Sequence, residues 1–239
     1  MVVDAKNLGY KEINGVLHTG EKEYIINGVL GQRFIAAGMS DKIITVTGTP
    51  GNALGAYLNG ATIIVNGNAQ DAVGDTMNSG EIIVHGNAGD TVGYAMRGGS
   101  IYIKGDAGYR AGIHMKAYKE KVPVMVIGGK VGSFLGEYQA GGVIIVLGIG
   151  ADEKSIVGNF PCTGMHGGKM FLRSTPEGIS FPKQVTARTA DKSDLKEIEN
   201  YISQYCKLFG VDKKTIMDSP FTVVTPDSKN PYKQLYVAN

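Results

Sequence analysis

The sequence predicts an all-β fold: a right-handed parallel β-helix built from single-stranded coils of about 19 residues, followed by a C-terminal α-helical tail. Three observations carry this expectation. Glycines recur in pairs seven residues apart, at Gly48 and Gly55, Gly67 and Gly74, Gly86 and Gly93, Gly105 and Gly112, and each pair steps by 19. Every copy contains a short β-branched run bounded by glycine: "KIITVTG", "TIIVNG", "EIIVHG", "SIYIKG", "PVMVIGG" and "VIIVLG". Such runs are too short for helices and are the length of strands. Glycine contributes 35 of 239 residues, roughly twice its usual share, without the every-third spacing of collagen.

Along the chain, residues 4 to 20 read as a short helix or loop, and "EYIING" as a strand. A first glycine pair is expected at Gly31 and Gly38. After the insert "KAYKEKVP" (116 to 123) the register resumes at Gly129 and Gly136, and a decayed copy carries Ala151 and Gly158. Glycine suits the corners because it accepts φ > 0 and brings no Cβ against a stacked chain. The column Asn68, Asn87, Asp106 fits the same turns, since these side chains tolerate the left-handed region and bond locally.

Alternation sorts the strands into faces. Val46, Val65, Val84, Ile103, Val126 and Val146 form one inward column; Ile44, Ile63, Ile82, Ile101, Val124 and Ile144 form another. Leu58, Met77, Met96 and Met115 form a third column, which reads as core filling rather than a soft-metal site. Outward stand Thr47, Asn66, His85, Lys104, Ile127 and Leu147, and beside them Thr45, Ile64, Ile83, Tyr102, Met125 and Ile145. An outer face that apolar needs a cover. A partner or second copy is favoured, with the chain's own tail as the alternative. In that tail, "DKSDLKEIENYISQYCKLFG" places Leu195, Ile198, Ile202, Tyr205 and Phe209 on one helical stripe, capped by Asp191 or Ser193 and ended by Gly210. The last stretch, "FTVVTPDSKNPYKQLYVAN", reads as extended and docked. The organisation expected is a lead-in over 1–28, the β-helix over 29–173, and a linker, helix and docked tail over 174–239.

The formal charge of +2 is too balanced to argue for nucleic acid or a membrane surface. No apolar run approaches a bilayer span, the N-terminus lacks a signal-peptide pattern, and Cys162 and Cys206 suggest a reduced, cytoplasmic setting. The glycine pairs are not a dinucleotide fingerprint, because strands rather than helices follow them. His114 and His166 read as structural histidines. Cys162, four residues before His166, has no evident orienting acid for a thiol nucleophile. Gln32 and Arg33 in "GQR" form a polar cluster with no built-in mechanism. No catalytic, cofactor-binding or metal-ligating residue is expected in this chain.

The stretch from "GNALGAYLNG" to "GYAMRGG" resembles the GXGXG domain, the C-terminal β-helix of the glutamate synthase large subunit. "INGVLGQRFIAAG" and "GMHGG" resemble its stand-alone prokaryotic form, and the segment from "LKEIENYISQYCKLFG" to "KNPYKQLY" is similar to that subunit's helical end. The resemblance implies a non-catalytic assembly subunit of a glutamate synthase-type complex, which uses glutamine for reductive amination of 2-oxoglutarate. It further implies a glutamine amidotransferase subunit and an FMN-barrel synthase subunit as partners, with FMN and iron–sulfur clusters held by those partners. "GDAGYRAGIHMK" also resembles the repeats of the formylmethanofuran dehydrogenase subunit that belongs to the same β-helix superfamily, and an N-methylglutamate synthase subunit is a further alternative. An alternative of another class is a self-associating, homo-oligomeric scaffold with no enzyme partner.

Overall fold

The structure, a computed structural model, describes residues 1–151 and 155–228. Nine strands follow one another in a single parallel sheet, each paired with its sequence neighbour. They are β1 (Val2–Asp4), β2 (Glu23–Leu30), β3 (Ile43–Thr49), β4 (Asn59–Asn66), β5 (Ser79–Val84), β6 (Ser100–Ile103), β7 (Val124–Ile127), β8 (Ala140–Val146) and β9 (Gly167–Leu172). Helix α1 (Tyr10–Leu17) lies between β1 and β2. Beyond β9 come β10 (Val185–Thr189), helices α2 (Lys192–Phe209) and α3 (Lys213–Met217), and β11 (Thr222–Pro226). β11 lies antiparallel between β9 and β10, so the sheet ends on β10. The predicted parallel β-solenoid is therefore the fold. The end of the chain that was expected to dock does so through β11; residues 229–239 lie outside the described residues.

Each coil has two further sides. One is a ladder of single bridges running Ala69, Ala88, Ala107, Val131, Val157. The other is a turn with an unusual backbone. In seven successive coils, three residues at alternate positions have positive φ: 34/36/38, 53/55/57, 72/74/76, 91/93/95, 110/112/114, 134/136/138 and 160/162/164. Only seven of these 21 are glycine, and the other 14 hold φ between 49 and 64°. A non-glycine residue in this region costs on the order of 1 kcal/mol or more, and hydrogen bonding offsets it. Ala72 N–H and Thr76 N–H donate to Asp90 O and Tyr94 O of the next coil, and Gly74 N–H donates to Leu54 O of the preceding one. The pattern repeats up the stack, so the turn is a third inter-coil ladder. Asn14 of α1 completes its first rung, accepting from Ala36 N–H and donating to Phe34 O, both at 2.9 Å.

The middle position of the turn points at the core. A Cβ on Gly93 would overlap Met125 Cε, and one on Gly112 would overlap Ile144 Cδ1. This accounts for the glycine that recurs at 55, 74, 93, 112 and 136. The end copies differ from the expected pairs, because Ala36 and Cys162, not Gly38 and Gly158, occupy this column. Gly38 belongs to the third column of the turn, and Gly158 lies at another corner, bonded back to Val131 O.

One strand corrects the inward columns. In β7, Met125 pairs with Ile101 and Ile144, and Ile127 pairs with Ile103 and Val146. Met125 and Ile127 therefore fill the core, while Val124 and Val126 face outward. The insert lengthens its coil to 24 residues, as Gly105 to Gly129 shows. The expected column steps by 23, from Ile103 to Val126, one short of the 24 that the glycine register at Gly129 and Gly136 marks, and a one-residue slip reverses every side chain. All four residues of β7 are buried, so alternation gave no warning. The remaining inward columns and the Leu58/Met77/Met96/Met115 ladder are fully buried. Met39 and Met165 extend that ladder, with the buried Gln139 between Met115 and Met165.

The outer face is covered chiefly by the tail, not by a partner as favoured from sequence. Ile198, Ile202, Tyr205 and Cys206 of α2 form one buried cluster with Tyr102, Val126, Ile145 and Phe171 of the sheet. The cover ends short of the first strands, where Ile25 and Ile43 stay 44% and 45% exposed. Asp191 caps α2, its carboxylate accepting from Ser193 N–H and Asp194 N–H, and Gly210 ends it at φ 67°.

Candidate docking surface

Cys162 projects into the core from the last left-handed turn, its Sγ 3.6 Å from Met170 Sδ. Burial pushes its thiol up to about 12, so it stays protonated at neutral pH and is unsuited to act as a thiolate. His166 Nδ1 lies 2.9 Å from Gly164 O, a local turn contact. Gln32 fastens the lead-in, donating to Ala5 O at 3.0 Å and accepting from Leu30 N–H at 2.7 Å, while Arg33 is exposed. Asn68, Asn87 and Asp106 form the expected ladder. Each Oδ1 accepts the N–H of the equivalent residue one coil on, at Asn87, Asp106 and Lys130. Sequence reading missed a second such ladder, in which Asp71 accepts from Asp90 N–H and Asp90 from Tyr109 N–H.

Among the described residues, no three His, Cys, Asp or Glu side chains gather as they would around a metal ion, and no helix is long and apolar enough to cross a membrane. An open groove of about 680 Å³ lies between α2 and α3, floored by Leu195 and Met217 and bridged by the Lys213–Glu199 ion pair at 2.8 Å. At the sheet edge of α2, burial raises the Glu81 carboxyl against a hydrogen bond from Gln204 that lowers it. Burial first and the Glu81 charge second push the nearby Tyr102 hydroxyl up to about 12.

The surface with most chemistry on it is the corner made by the left-handed turns. Their outer positions run from small residues in the middle coils to large ones later: Ala72, Thr91, Arg110, Phe134, Phe160 in one column, and Thr76, Ala95, His114, Tyr138 in the other. His114 stacks on Tyr138 with centroids 5.3 Å apart and planes 8° apart, and Tyr94 meets His114 edge-on at 6.0 Å. Phe134 stacks on Phe160 at 5.3 Å, and the Arg110 guanidinium lies 5.1 Å from the Phe134 ring while pairing with Glu137 at 3.0 Å. His114 is thus one rung of an exposed aromatic ridge. Nothing in the sequence alone announced it, because these residues lie 20 to 26 positions apart and become neighbours only when coils stack.

Comparison with known proteins agrees with this architecture. An uncharacterised protein of Methanocaldococcus jannaschii is 44% identical over 250 aligned positions, spanning 99% of this chain and 96% of its own length. Among solved structures, a chain of the formyltransferase/hydrolase complex of Methylorubrum extorquens, determined with methylofuran, superimposes with a TM-score of 0.63 at 19% identity. That superposition covers 94% of this chain and 90% of the other, and it shows a shared fold. The family model of the GXGXG motif matches residues 22–227, solenoid and tail together, and the chain belongs to the GXGXG motif family.

Proposed function

We propose that this chain is a non-catalytic assembly subunit of a cytoplasmic glutamate synthase-type complex, in which it joins a glutamine amidotransferase subunit to an FMN-barrel synthase subunit. In that complex, FMN and the iron–sulfur clusters belong to the partners. The observation that carries the reading is the family match over residues 22–227, which takes in almost the whole described chain as one GXGXG unit. The exposed aromatic ridge supports it, since ordered apolar and charged side chains on a rigid scaffold suit docking. A second reading is favoured by one observation: a chain of like fold sits in a formyltransferase/hydrolase complex. On that reading this chain serves a formylmethanofuran dehydrogenase-type assembly as its solenoid subunit.

Co-expression with the amidotransferase and FMN-barrel subunits encoded in the same genome tests the proposal. The expected result is a stoichiometric complex that makes glutamate from glutamine and 2-oxoglutarate with a reduced donor, and loses this activity when the chain is omitted. Association with formylmethanofuran dehydrogenase subunits would move the assignment to the second reading. A chain that only self-associates would overturn both.

A further inference from the structure

We infer that the hairpin inserted between β6 and β7, with the adjoining end of the aromatic ridge, is a docking site for an acidic polypeptide segment of a partner protein. The inference names the partner chemistry of the assembly role proposed above. The insert is the first break in the 19-residue register of the central coils. Its chain turns back on itself, Tyr118 and Lys121 exchanging N–H···O bonds of 3.0 Å each way. Lys119 sits in the turn at φ 55°, its Nζ 5.4 Å from the Tyr118 ring. Lys121 is held against the preceding coil, where even a Cβ on Gly98 would stand only 3.0 Å from Lys121 Cβ.

Two more cations join it. Arg97 N–H bonds to Met77 O and Lys116 N–H to Met96 O, so Arg97 and Lys116 occupy one column in successive coils, roughly 5 Å apart. Arg97, Lys116, Lys119 and Lys121 are all exposed, and Glu120 is the one carboxylate in the segments 94–98 and 114–121 that form the surface. Among the described residues these four enter no ion pair, as is true of most lysines and arginines of the chain; what sets them apart is that all four meet on one short surface with a single carboxylate. Exposed Tyr94, Tyr118, Tyr138 and Val122 border them. Four clustered, unpaired cations beside apolar rings complement carboxylates on a chain with apolar side chains between them. A nucleic acid needs a longer basic track than two coils and a hairpin provide, and the net charge of +2 does not supply one.

The test uses the full chain and a fluorescein-labelled peptide of about ten glutamates, with a glutamine peptide of equal length as control, read by fluorescence anisotropy at about 20 and about 200 mM salt. The glutamate peptide should bind, weaken with salt, and cross-link through carbodiimide to Lys116, Lys119 or Lys121. The variant K116E/K121E should lose at least about tenfold in affinity while melting as the parent does; K6E/K11E, of equal net charge, should not. Equal binding by K116E/K121E, equal loss in K6E/K11E, or cross-links elsewhere would overturn the inference. So would tighter binding of a thymidine oligonucleotide of matching charge, which would make this a nucleic-acid surface. The peptide result does not depend on which complex forms. If the proposed subunits assemble and the peptide fails, the docking face lies elsewhere and the assembly role stands.

Discussion

A glycine at the centre of each left-handed turn meets two demands at once, positive φ and no side chain toward the core. Gly93 shows both, at φ 66° with Met125 Cε where its Cβ would be. The variant Gly93→Val is expected to lose stability by at least about 1 to 3 kcal/mol, read as a lower denaturation midpoint. An unchanged midpoint would show that the turn can rearrange. Ala95, two residues on, shares the backbone strain without the crowding, at φ 49° and half-buried. Ala95→Gly relieves strain but frees the unfolded chain, so it should leave the midpoint level or raise it by up to about 1 kcal/mol. Glycine spacing made the middle column legible. The outer two columns were not, since Phe34, Arg110 or Tyr138 carries no sign of a left-handed backbone. What holds them there is hydrogen bonding to coils above and below.

At the scale of elements, α2 is fixed by its cap and by the face it covers. Ile202 is fully buried against the sheet, whereas Ile43 lies on the uncovered part of the same face. Ile202→Asp places a charge in an apolar contact and is expected to destabilise by about 3 kcal/mol or more, with residues 192–209 opening first to protease. Ile43→Asp should change stability by less than about 0.5 kcal/mol. Equal effects would mean that α2 does not hold this face in solution. The helix start also predicts an acid response. Hydrogen bonds from the Ser193 hydroxyl and the Asp194 and Ser193 amides hold the Asp191 carboxyl down to about 2. Arg188, donating from both terminal guanidinium nitrogens at 2.6 and 3.0 Å, holds Asp194 down as well. A carboxyl depressed on folding stabilises above its unfolded value, near 4, and that contribution disappears as pH falls through the folded value. Protease sensitivity of α2 should therefore rise between about pH 4 and pH 2, and Asp191→Asn should weaken that pH dependence. The stripe on α2 was readable from its 3.6 period. Its destination was not, because an apolar face specifies a need for cover without naming the cover.

For the whole molecule, stacking of like coils implies that coils are interchangeable in register. Each coil bonds chiefly to its two neighbours, so stability is close to a sum over adjacent pairs. Deleting residues 67–85, one coil of 19, would bring β4 against β6 with Ile63 opposite Ile101. That variant is expected to fold and melt cooperatively, at a lower temperature. Deleting residues 67–84 instead shifts the following strand by one and should abolish the cooperative transition. A cooperative melt in both variants would show that the columns do not set the register. β7 makes the same point in reverse. The insert was visible in the sequence, yet its length decided whether Met125 or Val126 faced the core, and four buried apolar residues in β7 gave no alternation to choose between them.

The sequence by itself determined the period, the parallel strands, most of the inward columns and the amphipathic tail helix. Each of these is a short-range pattern, in which the spacing of glycine and β-branched residues is itself the physical constraint. Only the tertiary structure decided that α2 covers the outer face, that 14 non-glycine residues share the left-handed turns, and that Tyr94, His114 and Tyr138 line one ridge beside the basic hairpin. Those outcomes depend on which surfaces meet once coils stack. Burial of apolar area rewards any sufficient contact, and hydrogen bonds between coils form only after the coils are in place.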